Sequence, residues 1–132
     1  MPPREAVEAS GNSPVLSVAV ISWGEGPGGA GTASFADTRA FRDVLQDWEQ
    51  WAESGLVDVL VPMNYFREAD PDQAAWLRTW LGYEVALADR TGARIVPGIA
   101  GYLNSPSEAL LQVGLAMQHS GCLLYTSDAA DE

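Results

Sequence analysis

The sequence predicts an α/β fold in which three strands alternate with three helices. Three short apolar runs, at 15–22, 57–62 and 94–100, have the length and β-branched content of buried strands. Each run ends in polar or aromatic residues and is followed by a segment with helical periodicity. Because β-α-β crossovers are right-handed and give parallel strands, the three carboxyl ends should open on one side. That is the side on which α/β folds keep their binding sites.

The first unit begins with VLSVAVIS (15–22), a mostly apolar strand. The glycine-rich segment 24–34 reads as a mobile connection, and it lacks the GK[ST] ending of a phosphate-binding loop. A helix is expected from about Asp37 to Ser54, with Gly55 in the left-handed position that ends it. Its buried face should contain apolar residues at i, i+3, i+4 and i+7, namely Phe41, Val44, Leu45 and Trp48.

The second unit has an apolar strand from Val57 to Pro62, followed by Met63, Asn64, Tyr65 and Phe66. A helix should span about Asp72–Thr91, because Asp70 can cap it, Pro71 fits its first turn and Gly92 can end it. The expected buried stripe of this helix is Ala74, Leu77, Leu81, Val85 and Ala88.

The third unit has a strand at Arg94–Ala100 and a helix that ends near Gly121. Ser105, Pro106 and Glu108 form a capping box with proline in the first helical position. Near the middle of the helix one face should hold Leu110, Leu111, Leu115 and Gln118. Pro62 and Pro97 fall inside apolar runs, and we expect regular strand pairing to end at both, because proline cannot donate to a ladder.

The chain of 132 residues is long enough for one small domain. Its last eleven residues, CLLYTSDAADE (122–132), resemble a translated sequencing adapter, so we divide the chain into a domain at 1–121 and a non-native tail. Without the tail, fifteen acidic residues remain against seven basic ones, a formal net charge of about −8. This balance argues against a nucleic-acid surface, which needs clustered Lys and Arg.

The sole cysteine, Cys122, lies in the tail, so residues 1–121 hold no disulfide and no thiolate metal site. No apolar run approaches the roughly 18 residues of a transmembrane helix. We therefore expect no membrane-spanning segment, and the compartment cannot be read from these residues.

Three segments together resemble the glycosyl hydrolase-like family 10 domain: QDWEQW (46–51), GLVDVLVPMNYF (55–66) and GIAGYLN (98–104). The resemblance covers about Val15–Gly121. It implies a partial (β/α)8 TIM barrel of about three βα units, which would be strands six to eight at the carboxyl end of the domain. It also implies a glycoside hydrolase without a cofactor, acting on a glycan that in some members comes from the bacterial cell wall. The intact parent would be exported, periplasmic or a lipoprotein.

The departures from the family pattern concern catalysis. The family's acidic segment, similar to D-G-I-H-x-D-D, is absent from this sequence, and the tail stands where a strand ending in F-S-Y is expected. Three units also cannot close a barrel, and they leave two bare sheet edges. We therefore expect a piece of a larger domain that supplies substrate-cleft residues, lacks the catalytic carboxylates and is inactive alone.

Two other functions were weighed. A non-catalytic carbohydrate-binding barrel would keep the aromatic residues and lose the acidic pair; an upstream strand ending in two acids would favour the enzyme instead. A dehydrogenase-like open sheet is disfavoured, because no G-x-G-x-x-G lies between a strand and a helix.

Five residues at the strand ends are predicted to bind substrate. Amides and phenols can bond sugar hydroxyls, and aromatic rings can stack on sugar C–H faces. Each residue also has a structural interpretation: bonding to loop backbone or the start of a helix for the amides, and packing for the aromatic rings. The five are Trp23, Asn64, Tyr65, Tyr102 and Asn104.

Glu25 is the carboxylate immediately past a strand end, and it is the one candidate for a catalytic acid, with a solvated loop acid as the alternative. Asp58 begins a strand, on the side away from the site, and reads as structural. His119 near a helix end fits an interaction with the helix dipole, so no metal site is predicted. Helix packing accounts for the remaining tryptophans, Trp48, Trp51, Trp76 and Trp80.

Overall fold

A computed structural model describes Gly11, residues 13–120 and residues 125–127, with the backbone alone for 120 and 125–127. Strands and helices alternate along most of this length, and two 3-10 turns lie at Phe35–Asp37 and Gly101–Leu103. In chain order the elements are β1 (Ser17–Ile21), α1 (Arg39–Arg42), α2 (Trp48–Glu53), β2 (Val59–Asn64), α3 (Pro71–Thr91), β3 (Arg94–Ile95), β4 (Gly98–Ala100), α4 (Pro106–Ser120) and β5 (Tyr125–Ser127).

All described strand pairs are parallel, which confirms the α/β fold with a parallel sheet. β1 pairs with β2, β2 pairs with both β3 and β4, and β4 pairs with β5. The strands are therefore added in chain order across the sheet. Because these strands are parallel, the carboxyl ends of β1, β2 and β4 share one edge of the sheet.

β5 belongs to the tail that the sequence suggests is non-native. Its three residues pair with all of β4, from Gly98 opposite Tyr125 to Ala100 opposite Ser127. The neighbouring residues 121–124 and 128–132 lie outside the described residues. The division of the chain at residue 121 stays a prediction.

The two prolines in the apolar runs behave differently. Pro97 falls between β3 and β4, which confirms that pairing is interrupted there. The expectation for Pro62 is wrong, because β2 continues to Asn64 and Pro62 pairs with Val20. The register of β2 with β3 and β4 places Pro62 opposite the interruption at Pro97, where the ladder is already open and a missing N–H is tolerated.

The single helix expected over 37–54 is wrong in its middle. The chain forms α1, leaves helical conformation at Leu45 with φ of 60°, and resumes as α2. Leu45 is 81% exposed instead of buried. The break places the Gln46 side chain where it accepts a hydrogen bond from the Ile21 N–H at 2.8 Å. Asp47 begins α2 by accepting a bond from the Gln50 N–H at 3.3 Å.

α3 has the predicted limits. The Asp70 carboxylate accepts bonds from the Asp72 and Gln73 N–H groups, at 2.9 and 3.2 Å, and Gly92 ends the helix with φ of 78°. The buried stripe agrees with the prediction at Leu77 and Leu81 and differs from it at the other positions. It consists of Leu77, Trp80, Leu81, Glu84 and Leu87.

α4 begins with the predicted capping box, in which Ser105 N–H donates to Glu108 Oε1 at 2.9 Å and Glu108 N–H donates to Ser105 Oγ at 3.3 Å. Its buried residues are Gln112 and Ala116, whereas Leu110 is 71% exposed. Of the predicted face, Leu110, Leu111 and Gln118 are exposed, whereas Leu115 is partly buried and packs against the core. Among the described residues, no helix combines the length and the apolar character that crossing a bilayer requires.

The core beside β1 is an aromatic cluster. Trp48 and Trp80 are fully buried, with ring centroids 5.6 Å apart, and Phe35 lies 4.8 Å from Trp48 in an edge-to-face contact. The Trp48 indole N–H donates to the Ile21 carbonyl, and the Trp80 indole N–H donates to the Gly24 carbonyl, both at 2.9 Å. The interpretation of these two tryptophans as packing residues is confirmed, and together they hold the end of β1 in place.

Candidate functional site

Aromatic residues follow the ends of three neighbouring parallel strands. Trp23 follows β1, Tyr65 follows β2 and Tyr102 follows β4. Trp23 and Tyr102 are 46% and 49% exposed, and Tyr65 is half-buried. The rings of Tyr65 and Tyr102 meet edge to face, with centroids 6.2 Å apart. Three of the five predicted substrate-binding residues therefore lie along one edge of the sheet with surface available to a ligand.

A cleft of about 370 Å³ lies between the loops that follow β1 and β2, and we call it the aromatic cleft. Trp23 lines one side and Tyr65 the other, so the structure brings these two predicted residues to one site. The remaining lining residues are Gly24, Arg39, Phe66, Gln73 and Trp76. Residues from α1 and α3 thus complete a cleft whose rims come from strand ends.

Arg39 is the cationic residue of the aromatic cleft. Its guanidinium lies 5.5 Å from the centroid of the Trp23 ring, within the range of a cation–π contact. The Nε–H of Arg39 donates to Asp43 Oδ2 at 2.8 Å, which fixes the plane of the group. Sequence reasoning missed Arg39, because nothing in the expected continuous helix pointed it toward a strand end.

Asn64 is a correction to the predicted site. It is fully buried, and its amide bonds only protein groups: the Oδ1 accepts from Ser22 Oγ at 2.5 Å, and the Nδ2 donates to both Glu84 carboxylate oxygens. No atom of its side chain faces the aromatic cleft. Asn64 instead joins the sheet to α3.

Asn104 is also a correction, because its amide connects two loops. The Oδ1 accepts from the Glu68 N–H at 2.7 Å, and the Nδ2 donates to the carbonyls of Phe66 and Ala100, both at 3.0 Å. With both ends of the amide used, Asn104 holds the segment after β4 against the segment after β2. It thereby positions the two tyrosines that follow those strands.

Glu25, the catalytic candidate, holds the glycine-rich loop. One carboxylate oxygen, Oε2, accepts bonds from the Gly31 N–H and the Thr32 hydroxyl, both at 3.0 Å. Gly29 lies so close that a Cβ built there would be 2.4 Å from the Glu25 carboxyl carbon. The loop therefore wraps around this side chain, which is a structural role.

Glu68 is a second carboxylate near a strand end that sequence reasoning missed. Its side chain is only 11% exposed and forms a salt bridge of 2.7 Å with Arg78. The hydrogen bond from Arg78, and a further one from Gln112, hold the pKa of Glu68 below its usual range although burial opposes them. Glu68 is thus an ionised group committed to Arg78 and Gln112.

Glu84 is buried in the packing between the sheet and α3, with 2% exposure. Burial raises the pKa of its carboxyl to about 8, and the hydrogen bond from Asn64 opposes that rise. Glu84 also lines a second cavity of about 210 Å³, whose polar lining includes Asp89, Arg94 and His119. This second cavity is formed by α3, β3 and α4, away from the aromatic residues.

His119 bonds to its own helix, with Nδ1 2.8 Å from the Leu115 carbonyl oxygen. Within the described part of the chain, no three residues of the types His, Cys, Asp and Glu are grouped so as to hold a metal ion. The residues that line the aromatic cleft offer a ligand stacking surfaces and hydrogen-bonding groups.

No protein-family model, no curated protein and no solved structure matches this chain.

Proposed function

We propose that this chain forms part of a glycoside-hydrolase-like (β/α)8 barrel and binds a glycan, such as a bacterial cell-wall glycan, in the aromatic cleft. The observation that carries the proposal is the row of Trp23, Tyr65 and Tyr102 at the ends of neighbouring parallel strands. The similarity of segments 46–51, 55–66 and 98–104 to the glycosyl hydrolase-like family 10 domain supports it.

The lining of the aromatic cleft suits a sugar. Aromatic rings stack on the apolar C–H faces of a pyranose, and the Tyr65 phenol and the Arg39 guanidinium can bond its hydroxyl groups. A volume of about 370 Å³ falls within the range of roughly 300–1,000 Å³ that small-ligand sites occupy. Tyr102, beside Tyr65, would extend the binding surface toward a further sugar residue.

The order of the strands is compatible with the barrel in this proposal. The strands are parallel and pair in chain order, as the strands of a (β/α)8 barrel do. Ligands bind such barrels at the carboxyl ends of the strands, which is where the aromatic cleft lies. The remaining strands would come from outside the three units present here.

Glycosidases need two carboxylates at a suitable separation. The two acids that sequence and structure bring to these strand ends, Glu25 and Glu68, are bonded to a loop and to Arg78. We therefore place the catalytic carboxylates on other strands of the barrel. The same observation favours the second candidate function, a carbohydrate-binding barrel without catalysis.

Calorimetric titration of the chain with soluble cell-wall glycan oligosaccharides tests the binding role. Trp23→Ala and Tyr102→Ala should each weaken binding by about 0.5–1.5 kcal/mol, roughly 2- to 13-fold in Kd, because each removes a stacking surface. Leu45→Ala is the matched control, since Leu45 is an exposed apolar residue outside the aromatic cleft. Equal affinities for all four proteins, or no binding by the unmodified chain, would refute the proposal.

The same samples separate binding from hydrolysis. We expect the chain to bind the glycan without releasing new reducing ends, because its strand-end acids are engaged elsewhere. Glycan hydrolysis that disappears in Glu25→Gln would contradict this expectation and would show that Glu25 is catalytic.

A further inference from the structure

Three buried polar side chains form a continuous chain of hydrogen bonds beneath the aromatic cleft. Ser22 Oγ donates to Asn64 Oδ1 at 2.5 Å, and Asn64 Nδ2 donates to Glu84 Oε1 and Oε2 at 2.9 and 3.0 Å. Their exposed fractions are 1%, 0% and 2%. We call these three residues the buried relay. It connects the end of β1 with the end of β2 and with the middle of α3.

The buried relay lies directly next to the rims of the aromatic cleft in sequence. Ser22 precedes Trp23, and Asn64 precedes Tyr65. The two rims are therefore joined one residue below the surface by the bond from Ser22 to Asn64. The Asn64 amide therefore links the two rims to α3, because its oxygen accepts from Ser22 and its nitrogen donates to Glu84.

We propose that Glu84 is a positioning residue that sets the separation of Trp23 and Tyr65 through Asn64 and Ser22, so that its ionisation changes the shape of the aromatic cleft. The consequence for glycan affinity rests on the proposed function. The effect on Trp23 and Tyr65 does not.

The geometry explains why ionisation would be transmitted. The Asn64 Nδ2 lies 2.9 and 3.0 Å from the two Glu84 carboxyl oxygens, so that one N–H is shared between them. An ionised Glu84 offers that N–H two equivalent acceptors, whereas a protonated Glu84 has one hydroxyl oxygen, which accepts more weakly and needs an acceptor of its own. Protonation therefore weakens the bond that holds the nitrogen end of the Asn64 amide.

Among the residues that the structure describes, no cationic side chain bonds to the Glu84 carboxyl, whose hydrogen-bond donor is the neutral amide of Asn64. The sheet contributes the neutral side chains of Ser22 and Asn64. The second cavity brings charged or titratable groups from each neighbouring element: Asp89 of α3, Arg94 of β3 and His119 of α4. Burial is the main reason that the carboxyl titrates near neutral pH, with a pKa of about 8.

The test combines carbon-13 spectra of the glutamate carboxyls with the indole resonance of Trp23, recorded from pH 6 to 9. We expect the Glu84 carboxyl to titrate with a midpoint near 8, and the Trp23 indole to shift with the same midpoint. Glu84→Gln should abolish the shift, while Asp89→Asn, on the same helix and cavity, should leave it in place.

Ser22→Ala keeps the test decisive if Glu84→Gln fails to fold. It removes the link to β1 only, so Glu84 should still titrate while Trp23 ceases to respond. A Trp23 indole that is constant while Glu84 titrates, a Glu84 that does not titrate between pH 6 and 9, or a response that survives Ser22→Ala would overturn the proposal.

Glycan titrations at pH 6 and 9 complete the comparison. The Kd should differ at least threefold between the two pH values in the unmodified chain and should be constant in Glu84→Gln. A Trp23 response without any glycan binding would refute the proposed function and leave the positioning role supported. Glycan binding with a Trp23 signal independent of pH would support the proposed function and refute the positioning role.

Discussion

Glu84→Gln should change the pH dependence of stability, because the buried carboxyl makes folding sensitive to pH. Its pKa rises from the ordinary value of 4.5 to about 8 on folding, mainly through burial. The folded state therefore holds a proton that the unfolded state has released between these two values. The contribution of Glu84 to stability is therefore fully present below about pH 4.5 and is lost as the pH rises through about 8.

The magnitude follows from the size of the pKa change. Each pKa unit corresponds to about 1.4 kcal/mol, so Glu84 lowers the free energy of unfolding by roughly 4 kcal/mol between pH 5 and 9. A domain of this size is stable by only about 5–15 kcal/mol, so the loss is a large fraction of the total. Solvent does not screen the Glu84 carboxyl appreciably, since its side chain is buried.

The assay is urea unfolding followed by circular dichroism at pH 5, 6, 7, 8 and 9. The difference in unfolding free energy between the unmodified chain and Glu84→Gln should fall by roughly 4 kcal/mol across this series. Asp89→Asn should follow the unmodified chain, because Asp89 is an exposed acid on the same helix. Parallel curves for the unmodified chain and Glu84→Gln would show that the carboxyl does not gain a proton on folding, which would refute the reasoning.

Two further predictions concern packing and titration. Gly98→Ala should lower the free energy of unfolding by about 1–3 kcal/mol in the same urea assay, because a Cβ there would lie 2.9 Å from the Pro62 carbonyl oxygen. Gly114→Ala, in open space on α4, should instead stabilise by up to about 1 kcal/mol, and equal effects of the two substitutions would contradict the geometry. Tyr83→Phe should leave the phenolate absorbance gained between about pH 9 and 11 unchanged, since burial and the Glu49 carboxylate raise the pKa of Tyr83 above its usual value. If Tyr83→Phe instead removes the absorbance of one tyrosine from that pH range, Tyr83 is not held in the buried contact with Glu49.

The helix limits that could be predicted from the sequence depend on local chemistry. Asp70, Gly92 and Ser105 act within one turn of their own positions, so their residue types are sufficient to place the ends of α3 and the start of α4. The break between α1 and α2 could not be predicted from local sequence, because it serves contacts with a residue that is distant in the chain. It allows Gln46 and Trp48 to bond the backbone of Ile21.

The site residues were predicted less completely, because residue type alone does not show which face of a strand a side chain occupies. A polar residue at a strand end gives the same sequence pattern whether its side chain contacts a ligand or packs against a helix. In β2, Leu60, Pro62 and Asn64 alternate as buried residues, and this period of two could have assigned Asn64 to the helix side. Likewise, Glu84 lies three residues from Leu81 and four from Trp80, within the buried stripe of α3.

The indole bonds of Trp48 and Trp80 have a consequence for ligand recognition. They anchor the Ile21 and Gly24 carbonyls, which flank Trp23 on both sides in the chain. The backbone that carries this rim is therefore preorganised before any ligand arrives. Ordering a loop on binding costs affinity, so a rim fixed by the core during folding avoids that entropic loss. Core substitutions at Trp48 or Trp80 that preserve the fold should accordingly weaken recognition at a cleft that neither tryptophan lines.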